Sequence, residues 1–379
     1  MSELTASFYT TIDDIESEHW NSLGCCDNIY YSPEFFKAFE LAHNDIDFTY
    51  IIIFKGKEAV AFANTQIVTI SIETITKNVK ISDSIKRNIN RFFNKNSPRI
   101  LFCGNVFLSG EYGTFLKKGE DKIETFKAIA DAVKELYKPN KTLNAVFVKD
   151  FKEESLYITN ELKCFDYIPM RVEPNMIIHL KEEWSNFEDY KNALKSKYRV
   201  KANKADSTSK VLESKLFLPE DIEKYKNQMQ ALYENTISNS NFNAQVLNLN
   251  TYTHLKAFFG DKFIVKGYFY EGELVGYLSA MVNQDHLDAH FIGLDYGLNK
   301  ACAIYPRILN DYVRLGIEHN SKRINLGRTA SEIKSTLGAE PEDLMCYIRH
   351  RKTFQNQLMK PFIKNVKIKS FKQHHPFKT

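Results

Sequence analysis

The stretch FIVKGYFYEGELVGYLSAMVNQDHLDAHFIGLDY (Phe263–Tyr296) decides the fold. Its apolar and aromatic residues come in short runs without helical spacing, and EGE at 271–273 makes a tight turn, so the stretch predicts three consecutive antiparallel strands. A helix pattern follows in ACAIYPRILNDYVRLGIEHN (301–320), with Pro306 near its start. Then come RINLGRTASEIKSTLGAEPED (323–343), a half-buried strand leading into a helix of about two turns, and a last strand, DLMCYIRHR (343–351). Meander, helix, strand, helix, strand is the order of an α/β domain with a mixed sheet and helices on both faces.

The upstream sequence has the same style. SPEFFKAFELAHN (32–44) reads as a helix capped by Ser32 with Pro33 at its first position. A hairpin about KGKE follows, then apolar strands ILFCGNVFL (100–108) and LNAVFVKDF (143–151) flanking the helix DKIETFKAIADAVKELY, and a strand around NMIIHL (175–180). A long polar helix pattern (185–206), a strand in KVLESKLFL, and helices at 219–239 and 250–259 lead into the opening stretch. At 379 residues the chain is long enough for two cores. No Gly/Ser- or Pro-rich linker separates them, so the expected domains, 1–180 and 181–379, meet at a soft boundary.

Composition narrows the classes. Hydrophobic residues are 43% and charged residues 26%, as in a globular protein. No apolar run approaches the roughly 20 residues of a membrane helix, and the start, MSELTASFYTTIDD, lacks a signal's basic and apolar regions, so a cytoplasmic location is expected. Six cysteines occur without C-x-x-C or His–Cys clusters, which predicts free thiols and no metal site. Net charge is only +4, but it is unevenly placed. Lys191–Lys204 holds six Lys or Arg, and the tail after Met359 six Lys, neither with an acid. Such runs read either as solvated faces and a frayed terminus or as a footprint for an anionic partner. Lys197 and Arg199 belong to the first run, and the tail offers a peripheral membrane contact. Zinc-finger and RNP-type motifs are missing.

Thr329 and Glu332 have the spacing of a capping box. With Arg328 before it and Lys334 one turn on, that helix start reads as a place for an anion, or as an ordinary turn with solvated charges. Asp288 and His290 share one face of a strand, two residues apart, where a carboxylate beside an imidazole suits proton transfer.

The segment from Lys266 to Ala339 resembles the second half of the GNAT acyltransferase fold, and in particular bacterial N-acyltransferases related to the Fem-type aminoacyltransferases of peptidoglycan bridge synthesis. A GxxxG(Y)-like strand pair, the IGLDY-like strand, a helix and a glycine–arginine turn followed by Lys and Leu-Gly occur in that family's order. LKSKYRVKANKA and YSPEFFKAFE are similar to its segments farther upstream. The resemblance implies two tandem GNAT-like acyl-CoA N-acyltransferase domains, with the active site in the second. It implies transfer from an acyl-CoA or acyl-phosphopantetheine carrier to a primary amine of a small molecule, amino sugar or lipid precursor. Its Gln/Arg-x-x-Gly-x-Gly/Ala turn is missing where it should follow FIGLDY. GLNKACAIY stands there instead, leaving Asn299 as a cap and the amides of Lys300 and Ala301 to face a phosphate. Gly293 would mark the strand bulge that meets the acyl carbonyl, and Tyr305 would protonate the leaving thiolate. An acyl carrier protein or a tRNA would suit the basic runs. An aminoacyl-tRNA-dependent Fem-type transferase and a non-catalytic GNAT-fold binding protein stay open, as does the oligomeric state.

Overall fold

The structure is a computed structural model that describes residues 3–70, 97–238, 244–364, 368 and 370–378. Within these the chain runs β1 (Leu4–Tyr9), α1 (Ser17–Leu23), α2 (Pro33–Ala42), β2 (Asp47–Lys55), β3 (Glu58–Thr69), β4 (Arg99–Cys103), β5 (Thr114–Leu116), α3 (Lys122–Tyr137), β6 (Leu143–Phe151), α4 (Asn160–Cys164) and β7 (Ile168–His179). It continues with α5 (Phe187–Ala193), α6 (Ser196–Thr208), β8 (Glu213–Leu216), α7 (Pro219–Ser238), α8 (Asn250–Phe259), β9 (Phe263–Tyr270), β10 (Glu273–Asn283) and β11 (His286–Leu294). Then come α9 (Tyr296–Cys302), α10 (Ile304–Glu318), β12 (Arg323–Asn325), α11 (Ser331–Ser335), β13 (Glu340–His350) and α12 (Thr353–Lys364).

The chain forms two compact units. The first holds residues 1–173, 241–247 and 343–368, and the second 174–240, 248–342 and 369–379. In the first, β2, β3 and β4 pair antiparallel in sequence, then α3 crosses to β6, which runs parallel to β4. In the second, β9, β10 and β11 pair antiparallel, then α9 and α10 cross to β12, parallel to β11. The second unit thus repeats the topology of the first, and both have the mixed α/β architecture read from the sequence.

Each crossing helix is built to cover its sheet. Asp121 caps α3 by accepting from the amides of Ile123 and Glu124. Phe126, Ile129, Ala130, Val133 and Tyr137 then fall on one face and bury against Ile51, Val60, Leu101 and Val146. In the second unit Ile304, Ile308, Tyr312 and Val313 of α10 do the same against Val275, Leu278, Leu287 and Ile324.

The next strand of each unit comes from the other half of the sequence. β13 lies antiparallel to β6 in the first unit, and the end of β7 lies antiparallel to β12 in the second. The long helix read at 185–206 is broken at Leu194, which is extended, into α5 and α6. The strand read at 100–108 stops at Cys103, where Gly104 takes a positive φ.

Cutting the chain after Leu180 should therefore leave neither fragment able to fold alone. The first loses the buried Leu344, Cys346 and Tyr347 and the second Met176 and Ile178. Each large deletion costs about 2–5 kcal/mol, against a domain stability of about 5–15 kcal/mol. Near-ultraviolet circular dichroism should show native signal only when both fragments are present. Cooperative urea unfolding of residues 1–180 alone would contradict the arrangement.

Candidate active site

The parallel pairing of β11 with β12 lasts three residues, His286–Asp288 against Arg323–Asn325. β12 then ends, while β11 continues for six residues to Leu294. The gap opens at the carboxyl ends of two parallel strands, where open α/β sheets bind ligands.

Register explains what β11 does beside this gap. Leu278 of β10 faces Ile292 and Ala280 faces Ala289, so His290 and Phe291 together oppose the single Ser279. This is a β-bulge, which turns two successive side chains toward one side and disturbs the ladder amides there. Asp288, His290 and Phe291 accordingly share the face covered by α7 and α8. The Phe291 ring packs edge-on to Tyr233 of α7, and the His290 ring lies 6.1 Å from Phe263, itself packed on Tyr252 of α8. Leu287, Ala289 and Ile292 take the opposite face, under α10.

The bulge is pinned by a buried relay. Tyr252 and Ser279 share a hydrogen bond of 2.7 Å, and the Ser279 hydroxyl donates to the Phe291 carbonyl at 2.7 Å. Around Asp288 the same face buries Asn175, Asn283 and Asn325, the last directly across from Asp288 on β12. Polar groups are costly to bury unless hydrogen-bonded, and the Asn325 side chain accepts from the Gly327 amide at 2.9 Å. Desolvation by the surrounding protein pushes the His290 imidazole down to about pKa 4, which leaves it neutral at physiological pH.

The turn after β12 is wound differently from the sequence reading. Gly327, Thr329 and Ala330 all have positive φ, which only glycine adopts without strain. Thr329 is therefore not a helix cap. The residue before α11 is Ala330, without a side-chain cap, and no capping box with Glu332 forms. Lys334 is buried, and its ammonium donates to the carbonyls of Leu326, Gly327 and Arg328 at 2.7, 3.1 and 2.6 Å. Three donors on three carbonyls leave it a clamp on the strained turn rather than a substrate cation. Arg328 sits half-buried in that turn.

Other expected residues also fall elsewhere. Gly293 is two residues beyond the bulge, and a side chain there would run into Leu232 of α7 and Tyr277, so its role is close packing. Asn299 does cap a helix start, accepting from the Tyr305 amide at 2.9 Å, but from within α9. Lys300 and Ala301 lie in the last turn of α9, where their amides belong to the helix ladder rather than to a phosphate. The cap of α9 is Asp295, whose carboxylate accepts from the amides of Gly297 and Leu298. Tyr305, its hydroxyl kept protonated by burial, packs against the core on the α10 side, away from the Asp288 and His290 face.

Lys197 and Arg199 lie on α6, whose inner face is tied to α10. Asp206 pairs with Arg314 at 2.5 Å, and Asn310 donates to Asp206 and to the Ala202 carbonyl. Arg314 also pairs with the fully buried Asp311. Burial would raise the Asp311 carboxyl, but Lys266, Arg307 and Arg314 outweigh it and hold the group ionised. The outer face exposes Lys197, Lys201 and Lys204, and among the described residues no carboxylate lies within 4.0 Å of them. Arg199 is half-buried.

The tail is not frayed over 370–378. Lys195 donates its amide to the Pro376 carbonyl and Lys378 to that of Ala193, while Phe377 packs on Trp184 and Tyr190. Lys367 and Lys369 lie outside the described residues. None of the six cysteines is in a disulfide, and no group of three His, Cys, Asp or Glu converges among the described residues. No helix among them is long and apolar enough to cross a membrane.

Solved structures share this architecture. FemX superposes with a TM-score of 0.56 at 10% identity, over 94% of this chain and all of that one. A tandem GNAT protein from the clavulanic acid biosynthesis pathway gives 0.53 at 8% identity, over 92% and 99%. This chain has the tandem GNAT fold. A putative lysylphosphatidylglycerol synthetase C-terminal domain from Agrobacterium fabrum shares it at 0.51 and 8% identity, over 92% and 96%. No protein-family model matches the chain, and no curated protein matches its sequence. In tandem GNAT terms, the gap between β11 and β12 belongs to the second repeat.

Two expectations concern stability. Lys334→Met would strand three carbonyls, and urea denaturation should show a loss of about 3 kcal/mol. His290 is neutral in the native state down to about pH 4, whereas the unfolded residue protonates near 6.5. Its contribution is therefore intact above pH 6.5 and is lost as the pH falls toward 4. His290→Gln should flatten the stability curve in that window by at most about 3 kcal/mol.

Proposed function

We propose that the chain transfers an acyl group from an activated carrier to a primary amine, at the gap between β11 and β12. The observation that carries this reading is the bulge at His290 and Phe291 beside strands that part after three paired residues. A backbone N–H at the bulge would meet the acyl carbonyl as it becomes an oxyanion. The amine nitrogen bonds to the carbonyl carbon, and the bond from that carbon to the carrier breaks. The proton released from nitrogen passes through His290 to the departing carrier atom. The neutral imidazole can accept it and hand it on. Asp288, on the same face, would hold the incoming amine. Arg328 would hold an anionic part of the substrate.

Coenzyme A fits this repeat poorly. The amides at the start of α9 are occupied by the Asp295 carboxylate, which would repel a pyrophosphate there. The exposed cations of α6, without carboxylate partners among the described residues, favour a larger anionic carrier, an acyl carrier protein or an aminoacyl-tRNA. Transfer from aminoacyl-tRNA, as in Fem-type chemistry, is the second reading. The acceptor amine belongs to an amino acid, amino sugar or lipid precursor.

Purified protein incubated with acyl-CoA, acyl carrier protein thioesters or aminoacyl-tRNA, each with a pool of amines, should yield a new amide by mass spectrometry with a carrier-borne donor. His290→Gln should lower kcat about a hundredfold, and Lys197→Glu with Lys201→Glu should raise KM for the carrier while sparing kcat. No amide with any donor would favour a non-catalytic binding role.

A further inference from the structure

The amphipathic helix α12 (Thr353–Lys364) leaves an apolar ridge on its outer side. A helix on a globular unit normally turns its apolar stripe inward. Here the inward face carries Asn356, fully buried, with Met359 and Ile363 half-buried on the same side; the Asn356 side chain accepts from the His350 amide at 2.9 Å and donates to the Asp166 carbonyl at 2.8 Å. Lys360 adds an ion pair to Asp166 at 3.6 Å. The outward residues are Phe354, Leu358 and Phe362, exposed by 73%, 53% and 64%. Their i, i+4, i+8 spacing aligns them in one ridge along the helix, and Pro361 is exposed beside them.

Polar anchoring fixes this orientation. Rolling the helix to bury its phenylalanines would break the Asn356 hydrogen bonds and leave the Asp166 carbonyl unsatisfied. The ridge is therefore presented to something outside the unit. Charge identifies what. The last acid in the sequence is Asp343, and residues 344–364, which include the helix, hold five Lys and Arg with no Asp or Glu. Lys352, just before the helix, is exposed. A second copy docking ridge to ridge would set like charges against each other, whereas an anionic bilayer takes both the apolar ridge and its cationic flanks.

We infer that α12 is an interfacial helix that seats the protein on an anionic membrane surface through Phe354, Leu358 and Phe362. The inference does not depend on the transfer chemistry, since it concerns a separate face of the first unit. It gives the chain peripheral attachment, with the ridge at the level of the headgroups.

Flotation with phosphatidylcholine vesicles, with and without phosphatidylglycerol, tests it on the full chain. The protein should float with the anionic vesicles, and raised salt should weaken the association. Phe354→Ser with Phe362→Ser should reduce binding by about tenfold or more while leaving the melting temperature unchanged, since both side chains are already in solvent. No flotation with anionic vesicles, or equal flotation of the double variant, would overturn the inference. So would a dimer in light scattering that the same double variant abolishes, because a second copy would then cover the ridge.

Discussion

The shortness of the β11–β12 pairing is the constraint on which the second repeat depends. Two parallel strands that stay together bury their backbone groups and leave no room between them. These part after Asp288 and Asn325, and everything nearby serves to hold them apart or to satisfy what the parting exposes. The bulge opposite Ser279 redirects β11, the Tyr252–Ser279 relay ties down its carbonyl, and Lys334 gathers three carbonyls of the turn that β12 enters. Strain at Thr329 and Ala330 is tolerated because that buried ammonium over-determines the turn.

The first repeat solves a related problem with the same device. Lys149 of β6 is buried and donates to the carbonyls of Asn105 and Leu108, both at 2.7 Å, holding the loop that follows β4. The neighbouring Asp150 also has a positive φ and accepts from the Gly110 amide and the Cys346 thiol. In both repeats a buried lysine stabilises a wound loop through carbonyls rather than through a carboxylate partner alone. That use of lysine cannot be read from sequence, because it depends on where backbone oxygens converge.

The strand and helix order was legible because its signals are local. Short apolar runs without helical spacing, broken by the turn at 271–273, marked β9 to β11, and the Ser32–Pro33 start marked α2. What failed were features set by partners far away in sequence. The bulge needs the register of β10 against β11, so a glycine at 293 was a poor guide to its place. The break at Leu194 has no Gly or Pro to announce it, and the tail that binds there is some 180 residues on. The capping box failed because Thr329 is in the left-handed region. Asp295 was missed because the strand reading ran through IGLDY, although an Asp one residue before Tyr-Gly-Leu is an ordinary cap signal. β13 was placed in the second half because nothing local shows that it returns to β6. The outward ridge of α12 is visible in the sequence only as a helical period, and its direction is set by Asn356.

Asp288 and His290 were singled out from alternation on one strand, and the fold keeps them on one face beside the gap. The central claim is that acyl transfer occurs there. A diazirine-bearing acyl group, loaded on whichever donor supports amide formation, would be irradiated with the protein and the crosslinked peptides mapped by mass spectrometry. The account expects label on β11 around His290 and Phe291 and on the turn at Leu326–Arg328. Label confined to the Gly104–Gly113 loop of the first repeat would contradict it.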